Sequence, residues 1–290
     1  MIQDIAPHHY DNAYRPVPPQ PEDYILYFNG NEALLKMKDG VIDFPRFRDL
    51  ETAAPSPSDP IFSNPLYTDA VYLFQIDEQR FYLIHDLNTE DLPDFSMAGT
   101  QTFRNAEPQY LAFAGITAHQ LYQWYGIRRY CGRCGSPMRH DTRERMMYCE
   151  TCHNAEYPKL SPAVIIGLTH KNRLLLSKYA GRSYAKYALL AGFVEIGETI
   201  EETVKREVME EVGLPVKNIR YYKSQPWSFS SSVLMGFYCD LDGDDETITL
   251  DENELALAQW FQRDEIPVKP SRDSLTNEMI MTFVHGKEPR

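Results

Sequence analysis

The chain is short of basic residues: 29 Lys and Arg stand against 42 Asp and Glu in 290 residues, a formal charge of −13. A large non-specific nucleic-acid footprint needs a basic surface, so that class is disfavoured for the chain as a whole. No apolar run reaches the roughly 18 residues of a membrane span. The opening stretch, MIQDIAPHHYDNAYRPVPPQPED, lacks the charged start and apolar core of a secretory signal. The closing HGKEPR is not a Ser-Lys-Leu address. A cytoplasmic protein without a membrane partner is expected. Internal repeats and low-complexity tails are missing. What remains is ordinary for a globular protein: 43% hydrophobic and 24% charged residues, and enough length for two domains with separate cores.

Cysteine is scarce, at five residues, yet four of them are patterned. Cys131-Gly-Arg-Cys134 and Cys149-Glu-Thr-Cys152 are two CxxC knuckles with 14 residues between them. Each knuckle offers two thiolates on one tight turn, and two knuckles complete a tetrahedron. Four thiolates leave no open coordination position, so one structural zinc per chain is expected. Disulfides are the rival in an oxidising compartment. A redox CxxC is a second rival, against which the matched pair of knuckles argues. Cys239, within the apolar run SVLMGFYCDL, is expected in the core.

The richest segment is Gly192–Leu214, GFVEIGETIEETVKREVMEEVGL. Ile200, Val204, Val208 and Val212 recur every four residues, which predicts an amphipathic helix over 200–212 with Gly213 as its stop. At about 100° per residue Glu211 falls on the apolar stripe and Glu207 on its edge. A carboxylate among buried apolar groups is costly unless it is paired or holds a metal. Glu210 lies three residues beyond Glu207. A solvated acidic helix partnered by Lys205 and Arg206 is the plainer alternative.

Around this segment, strands are expected at Tyr24–Asn29, Val71–Ile76, Arg80–Ile84, Ala163–Thr169, Arg173–Lys178, Tyr187–Ala191, Tyr221–Ser224, Val233–Leu241 and Ala256–Phe261. A helix is expected at Asn105–Tyr125, and the Pro/Ser-rich Ala53–Pro65 reads as a loop.

The spacing of Gly192, Glu198, Arg206-Glu207, Glu210-Glu211 and Gly213 resembles the Nudix box at every defining position. Downstream, Ser224-Gln225-Pro226-Trp227-Ser228-Phe229-Ser230-Ser231-Ser232 resembles the SQPWPFPxS array of the NADH pyrophosphatase family of Nudix hydrolases. That family also carries a zinc ribbon before the box. Ser228 and Ser230 replace prolines of the pattern, which leaves the loop less rigid. The resemblance covers about the C-terminal 60% of the chain.

The resemblance implies an α+β protein in three parts: an N-terminal mixed α/β domain (1–127), a zinc ribbon (128–158) and a Nudix α/β/α sandwich (159–290). It implies that Glu207, Glu211, Glu254 and the Ala191 carbonyl hold Mg²⁺ or Mn²⁺. Glu210 and Glu254 are the two candidates for general base. Tyr157, Phe193, Gln225, Trp227, Ser232 and Thr276 fall on substrate-contacting positions. The implied reaction is hydrolysis of NAD(H) to NMN(H) and AMP by a homodimer, with NAD-capped RNA 5′ ends as further candidate substrates. The alternatives are hydrolysis of other dinucleotides, a non-catalytic nucleotide sensor, and a zinc-ribbon nucleic-acid-binding protein.

Overall fold

The computed structural model describes residues 1–51, 69–181 and 186–289; the Ala53–Pro65 stretch lies outside the described residues. The chain divides into two compact units, Ile2–Lys159 and Leu160–Arg290, with Met1 counted to the second. No helix among the described residues is long and apolar enough to cross a membrane.

In the first unit, β1 (Tyr10–Asp11), β2 (Tyr24–Leu26), β6 (Val71–Ile76) and β7 (Gln79–Leu83) form a sheet in the order β1-β6-β7-β2. A second sheet joins β3 (Phe28–Asn29), β4 (Glu32–Lys38) and β5 (Val41–Asp43), with β8 (Ser96–Gly99) on β4. The single strand expected over Tyr24–Asn29 is therefore two. Its first half pairs with β7 (Tyr24↔Phe81) and its second with β4 (Phe28↔Ala33), so the chain changes sheets at Tyr27. A short helix, α1 (Phe47–Glu51), precedes the long α2 (Gln109–Ile127). α2 starts later than Asn105 because Pro108 is extended (φ −71°, ψ 146°) and proline biases its predecessor away from helix. The ribbon's three short strands, β9 (Arg139–His140), β10 (Met147–Tyr148) and β11 (Ala155–Glu156), pair antiparallel in the order β11-β10-β9.

The second unit is built on one mixed sheet. Its strands are β12 (Ser161–His170), β13 (Arg173–Tyr179), β14 (Leu190–Phe193), β15 (Val216–Trp227), β16 (Ser232–Leu241) and β17 (Leu255–Gln262). The order is β15-β16-β12-β13-β17, with β14 also on β12. β12 and β16 run parallel from Ser161↔Ser232 to Thr169↔Asp240.

β12 is buried along most of its length, and its side chains alternate between two cores. Val164, Ile166 and Leu168 meet Val204, Val208 and Val212 of the helix α3 (Ile200–Val212). Ile165 joins Leu275, Met279, Ile280 and Phe283 of α4 (Leu275–Val284). One helix on each face of the sheet gives the α/β/α sandwich. The sequence reading missed α4, whose start is signed by Ser274 accepting the Asn277 amide. β14 runs over Leu190–Phe193, later than the expected Tyr187–Ala191, because only that stretch pairs with β12; Ala188 makes an isolated bridge to Ser177.

Candidate active site

α3 occupies the expected residues, and both ends are capped. Thr199 Oγ1 accepts the Glu202 amide while Glu202 Oε2 accepts the Thr199 amide, a reciprocal capping box. At the other end Gly213 sits at φ +71°, the left-handed conformation that closes a helix at least cost with glycine. The β16–β17 connection then crosses the last turn: Thr249 donates to the Val212 carbonyl and Asp251 to that of Glu211. These bonds satisfy carbonyls left open at a helix end.

The helix carries Glu207 and Glu211 inward. They are 7% and 1% exposed, while Glu210 remains on the surface. Space for Glu207 comes from Gly192 on β14, where a Cβ would lie 1.9 Å from the Glu207 carboxylate. Arg206 organises the neighbourhood. Its Nε donates to Glu198 Oε1 (2.6 Å), Nη1 to Glu207 Oε1 (2.7 Å) and Glu210 Oε2 (2.8 Å), and Nη2 to Glu198 Oε2 (2.9 Å) and the Phe193 carbonyl (2.9 Å). One guanidinium thus ties the loop after β14 to two helix carboxylates.

The charge pattern has named causes. Arg206 beside Glu198 holds that carboxyl down at about 2. Burial pushes Glu207 up, against the pull of Arg206. Burial pushes Glu211 up to about 8, and the charges of Glu207 and Glu254 add to it; a hydrogen bond from the Ala191 backbone acts the other way. Glu211 Oε2 is buried with no hydrogen-bond partner. A buried oxygen with nothing to accept is expensive, and a hard cation is a fitting partner for it. The residues present therefore fit a Mg²⁺ or Mn²⁺ ion. Among the described residues, only the four ribbon cysteines bring three or more candidate ligand atoms within 4.8 Å of one another.

The other expected residues are distributed as follows. Glu254, just before β17, is exposed, and its charge acts on both Glu207 and Glu211. Phe193 closes β14 and is exposed. Trp227 ends β15, half-buried, its ring 5.0 Å from that of Phe229. Thr276 lies half-buried in the first turn of α4. Ser232 is buried and its hydroxyl bonds Ser230. Gln225 departs from what a substrate contact requires. It is fully buried, its Nε2 donates to the Asp273 carbonyl (2.9 Å), and its Oε1 accepts the Leu275 amide (2.7 Å). Tyr157 belongs to the first unit, where its hydroxyl donates to Glu144 (2.7 Å).

The four ribbon thiols converge within 4.8 Å, with Cys131–Cys152 and Cys134–Cys149 sulfurs each 3.5 Å apart and no disulfide. Tetrahedral Zn–S bonds of about 2.3 Å put sulfurs about 3.8 Å apart, so the cage fits zinc. The knuckles are equivalent: Gly135 donates to the Cys131 carbonyl and His153 to that of Cys149, both at 2.8 Å.

Residues 128–157 match the NADH pyrophosphatase zinc ribbon domain family, and residues 159–281 match the NUDIX domain family. The chain carries a Nudix domain behind an NADH pyrophosphatase zinc ribbon. The chain is 39% identical over 161 residues to the NAD-capped RNA hydrolase NudC of Photorhabdus laumondii, which covers 56% of this chain and 62% of that protein. To the NAD-capped RNA hydrolase NudC of Klebsiella pneumoniae it is 39% identical over 171 residues, 59% of this chain and 64% of that one. The chain thus spans less than two thirds of the length of these relatives. Among solved structures it is similar to a NUDIX hydrolase from Nitrosomonas europaea, at 29% identity and a TM-score of 0.42 over 48% of this chain and 80% of that one. Within the Nudix domain, the box supplies the buried carboxylates and β14 the space for Glu207.

Proposed function

We propose that this protein hydrolyses the pyrophosphate bond of NAD(H), giving NMN(H) and AMP, and acts on NAD-capped RNA 5′ ends by the same chemistry. The observation that carries this reading is the buried Glu207–Glu211 pair beneath Gly192, with one Glu211 oxygen lacking a partner. The zinc ribbon, and relatives named as NAD-capped RNA hydrolases, support the choice of substrate. Glu207, Glu211, Glu254 and the Ala191 carbonyl would hold Mg²⁺ or Mn²⁺. Such ions neutralise pyrophosphate charge and lower the pKa of an attacking water.

The chain's own residues do the rest. Arg206 keeps Glu198, Glu207 and Glu210 in fixed positions. Glu210 and Glu254, both exposed, are the two candidates to take the water's proton. Phe193 and Trp227 offer aromatic surface for a base. Gln225 and Ser232 act from beneath, by holding the array and the start of α4. In this reading 1–127, 128–158 and 159–290 are three modules, and the enzyme is a cytoplasmic homodimer. The test is product analysis with NADH, NAD⁺, other dinucleotides and NAD-capped RNA, each with Mg²⁺ and with Mn²⁺. Release of NMN(H) and AMP from NAD(H), and of NMN from capped RNA, is expected. Turnover of other dinucleotides alone would reassign the substrate.

A further inference from the structure

Between Glu198 and Arg206 the box leaves its positions open, and Thr203 occupies one of them, on α3 one turn after the Thr199 cap. Threonine is an indifferent helix former, and this one is fully buried. A buried hydroxyl needs a partner. Two acceptors lie within reach of Thr203 Oγ1: Glu198 Oε2 at 2.9 Å and the Thr199 carbonyl at 3.1 Å. The hydroxyl has one hydrogen to give. The Thr199 carbonyl already accepts the Thr203 amide at 3.0 Å, whereas Glu198, paired with Arg206, is a carboxylate anion. Hydrogen bonds to an ionised acceptor are roughly twice as strong as neutral ones, so the proton goes to Glu198.

This bond supplies what the other donors to Glu198 do not. Arg206 gives Nε to Oε1 (2.6 Å) and Nη2 to Oε2 (2.9 Å), but both members of that fork are long side chains that can swing together. The Glu195 amide, 3.2 Å from Oε2, belongs to the same loop as Glu198. Thr203 Oγ1 is one torsion from the backbone of α3, and the branched Cβ restricts that torsion. It therefore ties the loop carboxylate to the helix frame. From Glu198 the order passes to Arg206, whose Nη1 meets Glu207 Oε1 at 2.7 Å and Glu210 Oε2 at 2.8 Å.

We propose that Thr203 is a positioning residue for the carboxylate site: its hydroxyl holds Glu198, and through Glu198 it sets where Arg206 holds Glu207. Its effect on rate rests on the pyrophosphate hydrolysis proposed above; its effect on Arg206 does not. Solvent exchange of the Arg206 Nε–H is followed by NMR in the zinc-loaded chain without other divalent metal, with Arg206→Lys to assign the resonance. Thr203→Val keeps the shape of the side chain and removes the hydroxyl, and Thr203→Ser keeps the hydroxyl. Exchange should be about 10-fold faster in Thr203→Val, the effect of losing one hydrogen bond to a charged group, and Thr203→Ser should recover most of the protection. In NADH hydrolysis at saturating Mg²⁺, kcat of Thr203→Val should fall about 10-fold with KM within about 2-fold, and Thr203→Ser should again recover it. If Thr203→Val does not fold, Thr203→Ala, which adds no bulk, is read in the same two ways. Parent-like exchange in the variant without the hydroxyl would show that the hydroxyl serves only the Thr199 carbonyl, and would overturn the proposal. Faster exchange with unchanged kcat would overturn it too. If the parent itself hydrolyses no NADH, the proposed reaction fails, while the exchange rates still decide whether Thr203 orders Arg206.

Discussion

Gly192 and Glu207 occupy each other's space: a Cβ on the glycine would fall 1.9 Å from the glutamate carboxylate. The glycine of the box is thus required by close approach across β14 and α3, since its φ is not in the left-handed region. Gly192→Ala should displace the carboxylate by an ångström or more. Misplacement of that size costs on the order of 10²-fold in rate. The expected outcome is a fall in kcat of that order with the fold retained. Wild-type kcat for Gly192→Ala, measured with near-ultraviolet circular dichroism as the fold control, would remove Glu207 from the machinery.

In the proposed reaction, Glu207→Gln and Glu211→Gln would remove a ligand charge where pyrophosphate charge must be neutralised. Each should lower kcat on the order of 10²-fold or more at saturating metal. Near-wild-type turnover by either variant would exclude that glutamate as a ligand.

The Glu211 carboxyl, pushed up to about 8 mainly by burial, gives a signed pH dependence. Its folded-state pKa lies above the unfolded value, so its protonated form is favoured by folding. The stability this contributes to the metal-free protein is fully present below the unfolded pKa, near 4.3. It is lost as pH rises through about 8. In the proposed role of Glu211 a divalent metal competes with the same proton, so metal affinity should climb with pH up to about 8 and level off above. Thermal melts from pH 5 to 9, with and without Mg²⁺, test both. Glu211→Gln should flatten the metal-free profile; an unchanged slope would show that another group titrates.

The zinc cage couples metal to folding, because the ribbon's strands are two residues each and bury little besides the thiols. Elemental analysis should find one zinc per chain. Cys131→Ser or a strong chelator should lower Tm and promote aggregation. Full stability without zinc would refute the structural role.

Much of this was legible in the residues, and the limits have physical causes. The four-residue recurrence of Ile200, Val204, Val208 and Val212 locates α3 because its apolar stripe faces one sheet. The paired knuckles locate the thiol cage because ligand spacing on tight turns is local. β4 escaped notice since its burial, three inward residues in a row, lacks period two. The split of Tyr24–Asn29 depends on partners far along the chain. Gly192 was readable as a motif glycine, but the reason for it needs Glu207, fifteen residues on, to be brought back against it. Gln225 is the clearest case. Its position in the array suggests contact with substrate, and only the structure reveals that its amide is spent on the backbone at the start of α4.

That contrast gives the last prediction, which separates two neighbours in one motif. Gln225→Ala strips partners from the Asp273 carbonyl and the Leu275 amide in a site with no access to solvent. Each buried group left unsatisfied costs about 1–3 kcal/mol, so a clear drop in Tm is expected. Because α4 carries Thr276, KM should rise along with the loss of stability. Trp227 is half-buried at the end of β15. Trp227→Ala should raise KM for NADH by removing stacking surface, worth about 1–3 kcal/mol per base, with a smaller change in Tm. Urea melts and NADH kinetics on both variants decide the matter. If Gln225→Ala keeps its stability and loses only substrate affinity, the amide is free to turn toward substrate and its role as a brace fails. If Trp227→Ala unfolds the domain instead, the array is structural throughout, and the proposed preference for NAD(H) must be sought elsewhere than in β15.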